Sequence, residues 1–311
     1  GHENTRVFNE VKDVGEDLKK LKEISGSSVN PSVAVIYDTE NRWAIEEASG
    51  PRQEKKNYVE SCIKHYRAFW EEGISVDVID QSFDFSSYKL IVAPMLYLLK
   101  DGTADRLKEF VRNGGTVVST YWSGIVNETD LCFEGGFPGN LRDLFGIWSE
   151  EIDALYDNDS NKIVFKAGND LDLIGEYEAK TFCDLIHPEG AKILAEYKDD
   201  FYAGRAAVTV NDYGRGKAYY LASRNDANFT ADFYKRIIND LDLNKVLDIN
   251  LPQGVTAQKR STDQNKYIFL MNFNDYKLKI DLKSEYKSLL SDKKIKEITL
   301  PAYGVEVFVK L

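Results

Sequence analysis

The sequence predicts an α/β protein, in which a domain built on a parallel sheet is followed by a small antiparallel β-domain. Short apolar runs alternate with helical patterns between residues 33 and 120, at the spacing of βαβ units. After Val246 the helical patterns stop, and runs of strand character separated by turns take their place. A chain of 311 residues has room for two compact domains.

The first predicted element is an amphipathic helix. Asn4 or Thr5 can cap its start, and residues 25–31 then have the glycine, serine and proline content of a linker. The apolar residues of one helical face are Phe8, Val11, Leu18, Leu21 and Ile24. A face of this kind needs a partner surface.

The parallel sheet is predicted from four short runs rich in β-branched residues, at 33–37, 76–79, 90–93 and 117–120. The first of these runs, at 33–37, is typical of a strand buried on both faces. Helices are predicted between them at about 54–72 and 104–113, each ended by glycine.

The remaining elements are predicted in chain order. A turn and a short amphipathic helix are predicted over 137–148, a β-rich stretch over 162–221, and a helix over about 230–241. Within the β-rich stretch, the runs 206–210 and 217–221 flank an Asn-Asp-Tyr-Gly-Arg-Gly turn and predict a hairpin. The C-terminal β-domain is predicted from strands at 267–273, 277–282, 295–300 and 305–309.

Composition and charge exclude several classes of protein. The formal charge is −11 with acids spread along the chain, so we expect no nucleic-acid partner. No run of eighteen apolar residues occurs, and no membrane partner is expected. Cys62, Cys132 and Cys183 are far apart and odd in number, which disfavours a zinc site or a disulfide framework. Their use fits a reducing compartment, so the cytoplasm is the expected location.

Catalytic motifs are missing from the predicted strand ends. No glycine-rich phosphate loop or Walker lysine is found, so no nucleotide cofactor is expected. The predicted sheet resembles flavodoxin-like folds and class I glutamine amidotransferases, which need a cysteine on the turn after a strand. Here residues 121–124 (YWSG) fill that turn, and only a Cys132–His187 pair is left as a minor alternative.

Serine and carboxylate chemistry are also disfavoured. Ser49 and Ser123 neighbour glycine, but neither lies in a G-x-S-x-G motif. The adjacent acids at 46–47, 150–151 and 199–200 are interpreted as solvated faces, because nothing in the sequence defines a cleft between them. No metal, catalytic or substrate-binding residue is therefore assigned.

Six segments in order carry a family resemblance over nearly the whole chain. The two most specific are 119–128 (STYWSGIVNE) and 135–148, which contains GGFPG and LRDLFGIW followed by Glu151. The others are 4–11, 35–51 with ENRWA and SGP, 213–220 with YGRGKAYY, and 300–305 with LPAYGV. Together they resemble the β-galactosidases of glycoside hydrolase family 42.

The resemblance implies three parts. A (β/α)₈ barrel carries both catalytic glutamates, an amidotransferase-like α/β domain mediates trimerisation, and a small antiparallel β-domain ends the chain. A barrel needs about 250 residues, so only its last helix fits before Pro31. The expected division is 1–28 for that last helix and a linker, 29–246 for the trimerisation domain and 247–311 for the β-domain.

Five residues are candidates for contacting a neighbouring subunit or the missing barrel: Trp43, Arg52, Trp122, Phe137 and Trp148. The aromatic members could equally be core residues or platforms for sugar. The expected partners are further copies of the chain in a homotrimer and the barrel, with a β-galactoside as substrate of the full-length enzyme only. This chain alone is expected to be inactive.

Two other hypotheses stay open. The chain could be a stand-alone carbohydrate-binding or ligand-sensing domain on an amidotransferase-like fold. It could also be a cryptic hydrolase or amidotransferase that uses Cys132 or Cys183.

Overall fold

The computed structural model describes residues 2–310, which form two compact units. The sheet unit comprises Ser32–Ala68 and Val76–Leu243. The terminal unit comprises the residues up to Pro31, Phe69–Ser75 and those from Asn244 onward. It groups the N-terminal helix with the C-terminal strands, whereas the sequence assigned that helix to a separate part. The expected division at residues 28 and 246 stays a prediction.

Secondary structure covers most of both units. The helices are α1 (Arg6–Lys20), α2 (Thr39–Glu47), α3 (Tyr58–Glu71), α4 (Thr103–Arg112), α5 (Arg142–Phe145) and α6 (Ala227–Asp240), with 3₁₀ turns at Lys22–Ile24 and Gly139–Leu141. The first strands are β1 (Val33–Ile36), β2 (Val76–Ile79), β3 (Leu90–Ala93), β4 (Leu98–Leu99), β5 (Thr116–Thr120), β6 (Val126–Asn127), β7 (Ile147–Asp153), β8 (Asn161–Phe165) and β9 (Glu176–Pro188). The later strands are β10 (Lys192–Tyr197), β11 (Ala206–Tyr213), β12 (Gly216–Leu221), β13 (Ser223–Asn225), β14 (Val255–Ser261), β15 (Lys266–Asn272), β16 (Leu278–Ser288), β17 (Lys294–Leu300) and β18 (Val305–Lys310).

The sheet unit is built on one large mixed sheet, with the order β13-β9-β8-β10-β11-β12-β5-β3-β1-β2 and β7 added beside β9. The strands from β12 to β2 are parallel, and those from β12 to β9 are antiparallel. The α/β class is confirmed, but the expectation of a parallel sheet was too narrow. The second half was recognised only as β-rich, because hairpin strands carry no crossover helices.

The central strands form because their apolar runs can be buried on both faces. Every residue of β1 is buried, as its β-branched run predicted, and β3 and β5 are buried too, whereas β2 at the edge of the sheet is only partly buried. The hairpin β11–β12 is also confirmed, and it turns at Gly214 and Arg215. Gly214 has φ +63, and a Cβ there would lie 2.6 Å from Cα of Arg112, so only glycine fits this turn.

The terminal unit contains a five-stranded antiparallel sheet with the order β14-β15-β18-β16-β17. Four of these strands were predicted. β14 was missed because its outer half, residues 258–261, is polar and only partly buried. The small antiparallel sheet is therefore confirmed, with one more strand than expected.

Helix α1 of the terminal unit is the least buried element. The Thr5 hydroxyl caps it by accepting a hydrogen bond from the main-chain N–H of Phe8 (3.3 Å), and none of its residues is buried. The segment after it is fixed to the antiparallel sheet, since Arg260 donates to the Ser27 hydroxyl (2.9 Å) and Ser28 pairs with Ser261. Across residues 2–310, no helix is long and apolar enough to cross a membrane.

Candidate functional site at the carboxyl edge of the parallel strands

The parallel strands of the sheet unit end at one edge, where open α/β sheets usually bind ligands. Asp38 follows β1, Met95 follows β3, Trp122 follows β5 and Arg224 lies just beyond β12. If the chain carried a site of the usual kind for this architecture, these loops would form it.

Buried side chains of the chain itself satisfy the main chain of these loops. The Asn41 carboxamide donates to the Met95 carbonyl (3.0 Å) and accepts from the Leu98 N–H (2.8 Å). The Thr120 hydroxyl accepts from the Met95 N–H (2.8 Å). Such ties hold three loops together without a ligand, because each polar group already has a partner inside the protein.

Trp122 occupies the turn after β5, where a nucleophile elbow would carry its reactive side chain. Its φ is +58, a left-handed conformation that is uncommon for a non-glycine residue. Its indole is only 2% exposed and lies against the rings of Phe182 (5.3 Å between centroids) and Tyr97 (5.0 Å). The turn therefore has the geometry of an elbow, but it delivers an aromatic ring to the core.

Asp184 of β9 lies directly beneath this turn. One carboxylate oxygen accepts from the Trp122 N–H (3.0 Å) and the Tyr220 hydroxyl (2.7 Å), and the other has no hydrogen-bond partner among the described residues. Complete burial raises the pKa of Asp184 to about 7, against the opposing effect of those two hydrogen bonds. The carboxyl group thus titrates near neutrality, but in an enclosed core.

An ionic cluster lies at the same edge, centred on Lys100. Its ammonium group pairs with Asp38 (2.8 Å), Glu40 (2.9 Å) and Asp80 (3.0 Å). Burial opposes the charged forms, but the mutual hydrogen bonds prevail, so the pKa of Lys100 lies above its usual range and that of Asp80 below. A glycosidase needs one carboxyl group that keeps its proton near neutral pH. Because its pKa is lowered, Asp80 is ionised near neutral pH and does not meet that requirement.

The five predicted contact residues lie in different surroundings. Trp43 on α2 is 59% exposed, whereas Trp122 is a core residue, which is the alternative that the sequence left open. Phe137 is half-buried and packs on the same hydrophobic cluster as Trp122. Arg52 donates to the Leu155 carbonyl (2.5 Å) and to Asp157 (2.8 Å), which fixes the segment before α3.

Trp148 belongs to an ordered surface strip, defined as Arg142, Trp148, His187, Glu150 and Arg205. The Arg142 guanidinium lies over the indole of Trp148 (5.9 Å), and the indole stacks on the ring of His187 (4.5 Å). His187 in turn contacts Glu150 (2.6 Å), which also accepts from Arg205 (2.8 Å). Half-buried aromatic and arginine side chains held in one geometry are typical of protein–protein contacts.

The cysteines and histidines do not form a nucleophile–base pair of the kind considered from sequence. Burial raises the pKa values of Cys62 and Cys183 to about 12, so both remain protonated and unreactive. Cys132 is exposed, and His187 is engaged in the strip. His65 contacts the Tyr234 hydroxyl (2.6 Å), and burial lowers its pKa to about 3. Within residues 2–310, no cluster of potential metal ligands is found.

Sequence reasoning missed the residues that organise this edge. Asp38, Lys100 and Asp184 were passed over because each is an ordinary polar residue in an unremarkable local pattern. For Asp38 a signal existed: an aspartate directly after a buried strand and before a helical stretch is a strong capping position. No local signal marks Lys100 or Asp184, whose partners are distant in sequence.

The chain thus contains a mixed-sheet unit, whose carboxyl edge is filled around Trp122 by its own side chains, and a small antiparallel sheet. Two family models match it: the β-galactosidase trimerisation domain over residues 31–244 and the β-galactosidase C-terminal domain over residues 254–310. The chain belongs to glycoside hydrolase family 42, of which it contains these two non-catalytic parts. A trimerisation domain implies self-association and a separate catalytic domain.

Known relatives show the same coverage. Beta-galactosidase Pbg of Clostridium perfringens is 53% identical over 309 residues, which are 99% of this chain and 45% of that protein. The cold-adapted beta-galactosidase from Rahnella sp. R3 superimposes with a TM-score of 0.94 at 46% identity, over 99% of this chain and 45% of that one. A catalytic mutant of Gan42B, a GH42 beta-galactosidase from G. stearothermophilus, gives 0.93 at 43% identity, over 99% and 44%. This chain thus spans less than half the length of each.

Proposed function

We propose that this chain is the assembly portion of a retaining β-galactosidase, that it forms a homotrimer, and that it is inactive without a catalytic barrel. The full-length enzyme would hydrolyse terminal β-D-galactosides. The observation that carries the proposal is the pair of family matches, because both fall on parts of β-galactosidases that are named for assembly or position and not for catalysis.

The closed carboxyl edge supports the inactive part of this proposal. The loops that would form a site are tied to each other, and Trp122 fills the turn where a nucleophile would stand. Around Trp122, the acids are either paired with Lys100 or, as with Asp184, sealed in the core. Catalysis would require such groups to reach a substrate.

Helix α1 supports a contact with a further domain. Its exposed apolar residues are Val7, Phe8, Val11, Val14 and Leu18. An isolated stripe of this size on a short helix is costly to leave in water. We propose that α1 is the last helix of the catalytic barrel and that the rest of the barrel covers the stripe.

The sheet unit is the proposed self-association module. Trp43 and the Trp148 strip are its candidate contact surfaces, and Arg52 and Phe137 remain candidates beside them, whereas Trp122 lies in the core. The fold is proposed to be flavodoxin-like and amidotransferase-like, because its parallel strands run in the order β2-β1-β3-β5-β12. A cytoplasmic location is part of the same proposal.

An activity assay tests the inactive part of the proposal. The chain would be produced in a host without β-galactosidase genes and incubated with a chromogenic β-galactoside, with a full-length family member as positive control. We expect no hydrolysis above the buffer rate. Sustained hydrolysis that copurifies with the chain would refute the proposal.

A second candidate function is stand-alone carbohydrate binding or ligand sensing. It is favoured by one observation, a cavity of about 340 Å³ in the sheet unit, whose lining is mostly apolar by area but includes several hydrogen-bonding side chains. Calorimetric titration with galactose and lactose separates the two functions, since an assembly module without a sugar site gives no saturable heat with either.

A further inference from the structure

The cavity of about 340 Å³ lies within the sheet unit, between the first turns of α3, the start of α6 and the loop after β12. Its volume falls at the lower end of the range of small-molecule pockets. The side chains packed around Trp122 fill one part of the carboxyl edge, and the cavity lies beside that part.

Two cationic side chains line the cavity without carboxylate partners. Lys64 donates to the Asn225 carbonyl. Arg224 donates to the Tyr121 hydroxyl (2.7 Å) and to the carbonyls of Lys55 (2.8 Å) and Lys56. All of these acceptors are neutral. Among the described residues neither cation forms an ion pair, although half-buried cations usually do.

Three acids also line the cavity, and among the described residues none of them forms an ion pair with Lys64 or Arg224; the first, Glu60, is exposed to solvent. Asp226 caps α6 by accepting from the Phe229 N–H (2.8 Å), and Glu178 pairs with Lys180 (2.9 Å). Burial lowers the pKa of Lys64 to about 8, with Asp226 opposing the shift and Arg224 adding to it. Two like charges thus face one cavity, burial disfavours the charged form of Lys64, and an anion between the two cations would offset that cost.

The rest of the lining offers hydrogen bonds to hydroxyl groups. Ser61, Ser223, Asn57 and Thr181 contribute hydroxyls or an amide. Thr181 has φ +70, which is a marked outlier for a β-branched residue, and it lies in a bulge of β9 opposite Arg224. Bulges of this kind re-aim side chains, and here the bulge presents Thr181 to the cavity.

We propose that this cavity binds a monosaccharide-sized polyol that carries one anionic group, with that group between Lys64 and Arg224. A phosphate ester and a carboxylate supply the same chemistry. The proposal is independent of trimerisation, and it differs from the carbohydrate-binding alternative because a neutral sugar would leave both cations unpaired.

Isothermal titration of the full chain tests the proposal with four probes: galactose 6-phosphate, galacturonate, galactose and inorganic phosphate. We expect saturable binding of at least one anionic sugar, at least tenfold tighter than galactose and inorganic phosphate. Comparison of the two anionic sugars tells phosphate ester from carboxylate. The Lys64→Met variant should weaken that binding at least tenfold. Lys89→Met is the matched control, because Lys89 also donates to a main-chain carbonyl, that of Leu241 (3.2 Å), away from the cavity.

A labelling experiment keeps the proposal testable even if Lys64→Met fails to fold. The wild-type chain would be acetylated with and without galactose 6-phosphate and galacturonate, and modification of Lys64 and Lys89 would be measured by peptide mass spectrometry. Protection of Lys64 alone supports the proposal. No saturable binding of either anionic sugar, equal binding of galactose or inorganic phosphate, wild-type affinity in a folded Lys64→Met, or equal labelling of Lys64 with and without both sugars would each overturn it.

Discussion

Helix α1 and the carboxyl edge of the parallel strands differ in the burial of their apolar residues. On α1 the apolar residues are all exposed, and the helix is held by a cap and by the anchoring of the segment that follows it. At the carboxyl edge, residues that could form a site are buried around Trp122 and tied by side-chain hydrogen bonds. Among the described residues nothing covers the apolar face of the helix, whereas the edge around Trp122 is filled by the chain's own side chains.

This difference shows that position in a fold does not decide function. The carboxyl edge is where this architecture usually holds a substrate, yet burial and pairing leave its acids unavailable. The exposed helix carries no cluster of reactive side chains, and its uncovered apolar stripe is what supports the proposed contact with a barrel. The function of each region is therefore inferred from whether its side chains are buried and paired or exposed and uncovered.

The largest expected effect on stability comes from removing the buried indole of Trp122, compared with removing the exposed indole of Trp43. Trp122→Ala should lower the free energy of unfolding by about 3–5 kcal/mol, because it empties a packed aromatic cluster. Trp43→Ala is the matched control and should change it by no more than about 0.5 kcal/mol, since that side chain is 59% exposed. Urea unfolding followed by circular dichroism measures both. Equal changes in the free energy of unfolding for the two variants would show that Trp122 does not lie in a packed core.

A second prediction concerns the pH dependence that Asp184 imposes. Its pKa is about 7 in the folded chain and about 3.9 when unfolded, so between these values the folded state holds a proton that the unfolded state has lost. Its contribution to stability is therefore complete below about pH 4 and is lost as the pH rises through about 7, by up to about 1.4 kcal/mol per pH unit.

The Asp184→Asn variant removes this titration while keeping an acceptor for Tyr220 and Trp122. Relative to wild type, the variant should gain stability steadily between pH 4 and 7. Unfolding midpoints measured across this range test the slope, and Asp200→Asn serves as an exposed control. Parallel pH profiles for wild type and Asp184→Asn would contradict the assignment.

The smallest expected effect is on α1. Replacing Val11 and Leu18 with serine should change the free energy of unfolding of this chain by no more than about 0.5 kcal/mol per site, because neither residue is buried. Binding of a hydrophobic dye should fall, since the apolar stripe is interrupted. A large loss of stability would show that the stripe is already covered in this chain.

Much of the fold could be predicted from sequence where one local pattern determined one element. The bounds of β2 and β3 were predicted to the residue, and the hairpin β11–β12 followed from its turn residues. Helix α2 was missed, although Asp38 caps it with two hydrogen bonds, because its nine residues show only a weak apolar face. Short helices without a clear stripe give periodicity little to detect.

The candidate site was harder to predict because its residues meet only in three dimensions. Lys100 binds acids from the ends of two different strands, and Asp184 meets a turn 62 residues away in sequence. The sequence named both Trp43 and Trp122 as candidate contact residues but could not tell that Trp43 is exposed and Trp122 buried. The burial of each indole depends on residues distant in sequence, such as Phe182 beside Trp122.

Sedimentation equilibrium of the full 311-residue chain tests the central claim most directly. If the chain is an assembly module, the mass should be three times that of the 35.4 kDa protomer and should stay constant over a tenfold range of protein concentration. A mass equal to one protomer throughout that range would contradict the account.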